Sequence, residues 1–452
     1  MSDTIAAIST SASPAGIGVI RISGDQACEV ADRVFRAAGG VRLSDLEGYR
    51  AAYGHVLGSD GNIIDEAVAL RFAAPHSYTG EDVVELSCHG GTYVLSHALR
   101  AVIAAGARPA HAGEFTRRAY LNGKLDLTAA ESVMDIIGAS GEQAHRAAVG
   151  ARSGAVFSAA QSIKAMLLSA SSSLAAWSDF PDEEVPEVDE SELKDLLCSA
   201  AEQTQRLIDS ADCGRILRDG VHTVIAGKPN TGKSTVMNLL LRCSRSIVTD
   251  VAGTTRDVIE ESANVAGIRL RLADTAGLRD TDDPVESAGI DIARDRISSA
   301  ELIIAVFDGS RPLDAADNEL IELIKGRKYV AVINKSDLPP AFAAADLGLD
   351  SPVRVSAKFD APDAIEAAIA SALGTDKFDA SAGVIANERQ LGCVRRAFFA
   401  VRDAISAIDG GVTLDAVGVC VEDALTALCE LTGERANDAV IDEVFSRFCV
   451  GK

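Results

Sequence analysis

At 452 residues the chain is long enough for two to four domains, and a hydrophobic content of 47 % supplies packed cores, while no apolar run reaches the ~20 residues of a membrane span. A net charge of −23 excludes a protein that holds nucleic acid through a broad cationic surface. Nine cysteines without a C-x-x-C pair exclude a disulfide scaffold and a zinc site, and the opening Met1-Ser2-Asp3-Thr4 lacks the basic stretch of a signal peptide, so a reducing cytoplasm is expected.

Residues 1–118 show an α+β texture. Short β-type runs at 18–22, 67–72 and 83–88 alternate with helical periodicity at 26–37 and 92–105, punctuated by glycine and proline. One compact domain is expected there. From 124 to 217 the pattern is helical almost throughout, with Ala130, Val133, Met134 and Ile137 on one face. Within it, 179–195 carries nine carboxylates against Lys194 alone, with Pro181 and Pro186 among them, and reads as a solvated loop between helices.

The chemistry sits in the middle of the chain. Residues 227–234 read Gly-Lys-Pro-Asn-Thr-Gly-Lys-Ser, the phosphate-loop pattern G-x-x-x-x-G-K-[ST] without a mismatch. The apolar run 221–226 predicts a buried strand entering the loop, and 235–241 a helix leaving it. Gly227 and Gly232 let the backbone curl so that successive amides face the phosphates, reinforced by the positive end of the helix dipole. Lys233 supplies a mobile charge for the β- and γ-phosphates and Ser234 a hydroxyl for Mg²⁺. Asn230, Thr231 and Thr235 complete this part of the expected GTP contacts.

Four more loops follow in order. Thr249-Asp250-Val251-Ala252-Gly253-Thr254-Thr255 is placed as a switch loop whose threonine pair can complete the Mg²⁺ shell, with Thr255 as the metal contact. In Asp274-Thr275-Ala276-Gly277 the carboxylate can reach the metal's water and the glycine N–H the γ-phosphate. Asn334-Lys335-Ser336-Asp337 follows an expected strand at 329–333, and Asp337 can accept from both N1–H and the 2-amino group of guanine, which adenine does not offer. Ser356-Ala357-Lys358, after an expected strand at 353–355, brings backbone to guanine O6. Any one of these tetrapeptides occurs in ordinary surface loops; five in this order indicate a guanine-nucleotide site.

Helical texture returns at 391–408 and 415–431, and Val440, Ile441, Val444, Phe445 and Phe448 make the buried stripe of a last helix. The expected architecture is therefore multidomain, α/β plus all-α. It comprises an N-terminal α+β domain (1–118), a helical domain in two halves (119–218 and 377–452), and a Ras-like, Rossmann-type P-loop GTPase domain (219–376) inserted between them.

Further marks run the length of the chain. They are Thr4-Ile5-Ala6-Ala7-Ile8 leading to Ile20-Arg21-Ile22-Ser23-Gly24; Ser77-Tyr78-Thr79-Gly80-Glu81-Asp82 through Glu85 to His89-Gly90-Gly91; Gly113-Glu114-Phe115-Thr116 through Leu121-Asn122-Gly123-Lys124-Leu125-Asp126-Leu127; and the closing Cys449-Val450-Gly451-Lys452. With the GTPase loops, these make the chain resemble the MnmE (TrmE) family of tRNA-modification GTPases. The resemblance implies a cytoplasmic homodimer paired through its N-terminal domains. It also implies an FAD- and NADH-dependent partner of the MnmG (GidA) type in a heterotetramer, and a tRNA substrate that receives a carboxymethylaminomethyl-type group on C5 of its wobble uridine. The one-carbon unit would come from a tetrahydrofolate derivative, 5-formyl or 5,10-methylene, with Arg21, Glu85, Lys124 and Lys452 as the matching folate contacts. A carboxylate suits a pterin's N3–H and 2-amino group, and cations suit a glutamyl tail. The turn reading Ser11-Ala12-Ser13-Pro14-Ala15-Gly16-Ile17-Gly18 departs from the family's glycine-rich form, and Val450 stands where isoleucine is common. Cys449, near a charged terminus, is a candidate thiolate or a small buried hydrophobe.

Leu278 follows Asp274-Thr275-Ala276-Gly277, where Ras-like enzymes carry the glutamine that orients water. The carbonyl oxygen of Asn230, with backbone carbonyls of the 249–254 loop, can hold a monovalent cation where an arginine finger's charge would act. The resemblance implies that this ion is K⁺, bound by Asn230, Thr249, Val251 and Thr254 when two GTPase heads meet. It likewise implies that Glu286 orients the water, against the plainer reading of a helix-start glutamate. Two other readings stay open: a ribosome-assembly GTPase switch, disfavoured by seven Lys/Arg against twelve Asp/Glu in 379–452, and a regulatory scaffold without modification chemistry.

Overall fold

The computed structural model describes residues 3–11, 13–179, 189–243, 261–272, 297–376 and 383–452. They form two compact units, one of Met1–Met134 with Val419–Lys452 and the other of Asp135–Gly418.

In the first unit the chain order is β1 (Ile5–Ile8), β2 (Ala15–Ser23), α1 (Ala27–Val34), β3 (Phe35–Ala37), β4 (Ala51–Leu57), β5 (Ile63–Phe72), β6 (Val83–Gly90), α2 (Thr92–Ala104), β7 (Arg108–Pro109) and α3 (Glu114–Leu121), then α4 (Leu127–Gly138). Seven strands make a sheet in the order β3-β4-β5-β6-β2-β1-β7, antiparallel except for β1 with β7. Strand alternation sorts the side chains: Ile20, Ile22, Val84 and Leu86 join Val30, Val34, Leu95 and Val102 of α1 and α2 in one core. Arg21 and Glu85, the residues between, therefore point to the opposite face. The expected helix over 26–37 stops at Val34, because Phe35–Ala37 pairs with β4 and buries Phe35 and Ala37 in strand alternation. A Cβ on Gly54 would lie 2.2 Å from the Arg36 carbonyl oxygen, so this close pairing needs the glycine.

The second unit runs α5 (Glu142–Arg152), α6 (Ala155–Asp179), α7 (Glu190–Asp219), β8 (Val221–Ala226), α8 (Lys233–Cys243), β9 (Glu261–Val265), β10 (Ile268–Leu272), β11 (Leu302–Asp308), α9 (Ala315–Ile324), β12 (Tyr329–Asn334), β13 (Val353–Arg354), α10 (Asp363–Leu373) and α11 (Glu388–Asp409). Its sheet has the order β13-β12-β11-β8-β10-β9, parallel but for β9. Helices cover both faces. Ile304 and Val306 of β11 pack in one core with Val236 and Leu240 of α8 and Ile365 of α10, while Ile303, Ala305 and Phe307 pack in another with Leu320 and Ile324 of α9. Such double burial explains the continuous apolar runs in sequence. The chain enters and leaves this α/β segment side by side: Ile385 N–H donates to Ser210 Oγ (3.1 Å), and Arg218 to the Ala386 carbonyl.

Residues 190–195, expected in a loop, instead open α7. Asp189 accepts from the amides of Ser191 and Glu192, and acidic residues in a first turn complement the helix dipole. Helix α12 (Leu414–Thr432) spans the boundary between units, and α13 (Asp438–Ser446) returns to the first. Ile441, Phe445 and Phe448 pack there against Leu125, Leu127 and Ala130. The stripe predicted on α4 holds for Ala130, with Val133 and Met134 half-buried, but Ile137 is exposed. Among the described residues no helix is long and apolar enough to cross a membrane.

Candidate functional site

Between β8 and α8 the phosphate loop is drawn tightly against its neighbours. A Cβ on Gly227 would lie 2.4 Å from the Val306 carbonyl oxygen, and one on Gly232 would lie 2.2 Å from Asn334 Nδ2. Both glycines have positive φ, 153° and 93°, and Asn230 between them also adopts the left-handed region at 64°. The loop is closed from inside by the Lys228 carbonyl, which accepts from Thr231 Oγ1 (2.9 Å) and from the Lys233 ammonium (2.7 Å). Ser234 is exposed on the first turn of α8, and Thr235 follows half-buried. A curled loop at the N-terminus of an eleven-residue helix presents amides and a cation to an anion, which fits a polyphosphate.

The base pocket is built onto the same loop. Asn334, ending β12 and 3 % exposed, donates from Nδ2 to the Thr231 carbonyl (2.8 Å) and accepts at Oδ1 from Ala357 N–H (3.0 Å). Thus one amide side chain ties the phosphate loop to residues 356–358. Asp337 is exposed at the rim, its Oδ1 held by the Ser356 hydroxyl (2.6 Å), and Ser356 N–H in turn donates to Asp360 (2.6 Å). Lys335 lies in the left-handed region (φ 63°) with its ammonium on Asp308 (2.6 Å), and the exposed Lys358 lies over the Phe359 ring. Asn334, Lys335, Asp337, Ser356, Ala357 and Lys358 are therefore brought together with Asn230, Thr231, Gly232, Lys233 and Ser234. Sequence reasoning missed Asp308, Asp360 and the clamp on Lys228, whose ammonium meets Asp314 (2.7 Å) and Asp317 (2.6 Å) at the capping box of α9. The only sequence signal for Asp308 was its place at the end of an apolar strand.

Thr249, Asp250, Val251, Ala252, Gly253, Thr254, Thr255, Asp274, Thr275, Ala276, Gly277 and Glu286 lie outside the described residues. No group of three or more His, Cys, Asp or Glu among the described residues is arranged to hold a metal ion.

A second cluster lies in the first unit. Arg21 and Glu85 face each other across β2 and β6 and form an ion pair at 2.8 Å, with side chains only 15 % and 22 % exposed. The Arg21 guanidinium stands 5.1 Å from the Tyr78 ring centroid and 5.6 Å from that of Phe115. Phe115 N–H donates to the Lys452 carbonyl (3.2 Å), Gly113 N–H to that of Cys449, and Ser9 Oγ to that of Gly451 (3.0 Å), so the last four residues are strapped beside these rings. Lys124 is exposed and donates to the Pro75 carbonyl (3.0 Å) rather than to the ion pair. A half-buried carboxylate beside aromatic rings fits a flat, polar heterocycle such as a pterin. Cys449 is exposed, which removes the reading of it as a buried hydrophobe; Cys28, Cys88 and Cys393 are buried among the described residues, and burial pushes the Cys28 and Cys88 thiols up to about 11 and about 12.

Next to this cluster is an ionic network that sequence reasoning did not find. Arg118 joins Asp3, Glu81 and Glu114, Arg108 joins Asp3 and Glu114, and Ser23 Oγ donates to Glu81 (2.8 Å). Burial pushes the Glu114 pKa up, but donors from Arg108, the His111 amide and Arg118 outweigh it and hold the group below the usual carboxylate range.

Residues 4–124 match the family described as GTP-binding protein TrmE N-terminus, and residues 127–449 the MnmE helical domain. The tRNA modification GTPase MnmE of Symbiobacterium thermophilum is 43 % identical over 456 residues, which cover 100 % of this chain and 99 % of that protein. Its namesake in Geobacter sulfurreducens is 41 % identical over 459 residues with the same coverage, and that of Alkaliphilus metalliredigens is 38 % identical over 463 residues, covering all of both chains. By descent, then, as well as by its loops and its sheets, the chain belongs to the MnmE (TrmE) family of tRNA modification GTPases.

Proposed function

We propose that this protein hydrolyses GTP in the service of tRNA wobble-uridine modification. The observation that carries the guanine reading is the Asn334 side chain, which holds Thr231 of the phosphate loop and Ala357 of the base loop at once. With Asp337 steadied by Ser356, the groups that read the base and those that grip the phosphates form one unit. Asp337 accepts two hydrogen bonds from guanine and would face a repulsive pattern from adenine. Lys233 moves its ammonium from the Lys228 carbonyl to the β- and γ-phosphates.

Ser234 and Thr255 would hold Mg²⁺, which when bound supplies positive charge to the phosphate oxygens. Asn230, with backbone carbonyls at Thr249, Val251 and Thr254, would hold K⁺, and Glu286 would orient the attacking water, since Leu278 replaces the customary glutamine. In the first unit Glu85 would accept from the pterin of a tetrahydrofolate derivative while Arg21, between Tyr78 and Phe115, holds that carboxylate in place; Lys124 and Lys452 would face the glutamyl tail. The protein acts as a homodimer with an FAD- and NADH-dependent partner, in the cytoplasm, adding a carboxymethylaminomethyl-type group to C5 of the wobble uridine. The four-part division at 118, 218 and 376 belongs to the same proposal.

Mass spectrometry of wobble uridines from cells lacking this protein tests the modification: the C5 substituent should disappear and return on complementation. Unchanged nucleosides would refute it.

A further inference from the structure

We infer that Asp308 is a positioning residue for guanine-nucleotide binding, acting through Lys335; the inference rests on the guanine reading of the site. Asp308 ends β11, one strand from the phosphate loop, and its side chain is 7 % exposed. A carboxylate so buried must be satisfied. Its Oδ1 accepts from the amide (3.0 Å) and hydroxyl (2.6 Å) of Ser310, and its Oδ2 from the Lys335 ammonium at 2.6 Å. The exposed Arg311 stands farther off at 3.8 Å. Burial pushes the Asp308 pKa up, but Lys335 and Ser310 together bring it below the ordinary value, so the group is an anion at neutral pH.

The backbone on either side is fixed as well. Gly309 N–H donates to the Asn334 carbonyl (2.9 Å), β11 and β12 pair with Asp308 opposite Asn334, and Lys335 leaves β12 in the left-handed region. The Lys335 stem therefore starts between Asn334, which joins the phosphate and base loops, and Asp337, which reads the base, and ends on an anchor belonging to a different strand. A lysine has four freely rotating bonds, and an unanchored one samples many rotamers. Tied at both ends, the stem becomes a fixed wall of the base pocket, prepared before nucleotide arrives. Asp308 touches no nucleotide atom in this account; it acts by holding Lys335.

The test uses the full-length protein and fluorescent GDP and GTP analogues. Asp308→Asn keeps the shape but loses the charge, and should weaken both nucleotides about tenfold, by faster dissociation, while raising KM and leaving kcat within twofold. Asp308→Glu should restore part of the loss. In the Lys335→Met background the Asp308→Asn change should have almost no further effect, because there is no ammonium left to hold. Ser310→Ala, which removes one bond to the same carboxylate but spares Lys335, should leave affinity unchanged. Additive losses in the double variant, a fall in kcat at constant KM, or unchanged affinity in Asp308→Asn would each overturn the inference. A lower melting temperature with unchanged affinity would overturn it too, leaving a merely structural role. Failure of the guanine reading is told apart by the unsubstituted protein, which in that case binds neither analogue.

Discussion

Gly232 shows how a single α-carbon can carry both halves of a site. Its φ of 93° is unfavourable for any side chain, and the position a Cβ would take is 2.2 Å from Asn334 Nδ2. Gly232→Ala would strain the loop and push away the amide that joins phosphate and base loops, so GTP affinity should fall at least a hundredfold in equilibrium binding while the fold persists. Glu114 gives a pH-dependent case. Its folded pKa is depressed, so its contribution is present above the unfolded value of ~4.3 and is lost as pH falls through the lower folded value. Breaking a buried pair by removing one partner costs ~3 kcal/mol, so Glu114→Gln should lower stability by about that at pH 7 and by progressively less toward pH 3 in urea titrations. Legibility at this scale divides by chemistry. Asn334, Asp337 and Lys233 stand in fixed spacing within contiguous motifs, whereas Asp308 with Lys335, or Asp3 with Arg118, are partners brought together only by strand pairing and helix packing.

Elements were legible where one periodicity ruled. The phosphate-loop strand was read over its full 221–226 range because it is buried on both faces, and α8 and α12 because their stripes are unbroken. Misreadings came where a neighbour decided: Phe35–Ala37 continues a helical pattern but is captured by β4, and Glu190 opens a helix because Asp189 caps it. The hairpin of β9 and β10 is another such case. Its two-residue turn, Ala266 and Gly267, has φ values of 51° and 78°, the form that suits twisted strands. It is seated on the start of α5: Gln143 donates to the Ala266 carbonyl (3.0 Å), Asn264 to the Ser140 carbonyl (2.9 Å), and a Cβ on Gly141 would lie 2.3 Å from the Gly267 carbonyl oxygen. No periodicity in sequence announces this seat. Overpacking a tight contact costs ~1–3 kcal/mol, so Gly141→Val should lower the urea midpoint by a corresponding amount, whereas Gly138→Val, where a Cβ meets nothing, should cost less.

For the whole molecule the dominant quantity is charge. With 43 Lys and Arg against 66 Asp and Glu, two copies repel each other, and any salt relieves that repulsion, since exposed charges are screened over ~8–10 Å at physiological ionic strength. Na⁺ and K⁺ screen equally well. A difference between them at matched ionic strength therefore reports a site that selects by size and ligand geometry, not the general relief of repulsion. Asn230, in the left-handed region at the phosphate loop's apex, is the described part of the proposed ion site. GTP turnover per chain should be several-fold faster in K⁺ than in Na⁺, and the excess should grow with protein concentration as two heads meet. Asn230→Ala should reduce the K⁺ rate to the Na⁺ rate while leaving GDP affinity within a few-fold. Equal turnover in the two salts, at concentrations where the protein is dimeric by light scattering, would remove the role assigned to Asn230 and leave Lys233 and Mg²⁺ to carry the transition-state charge alone.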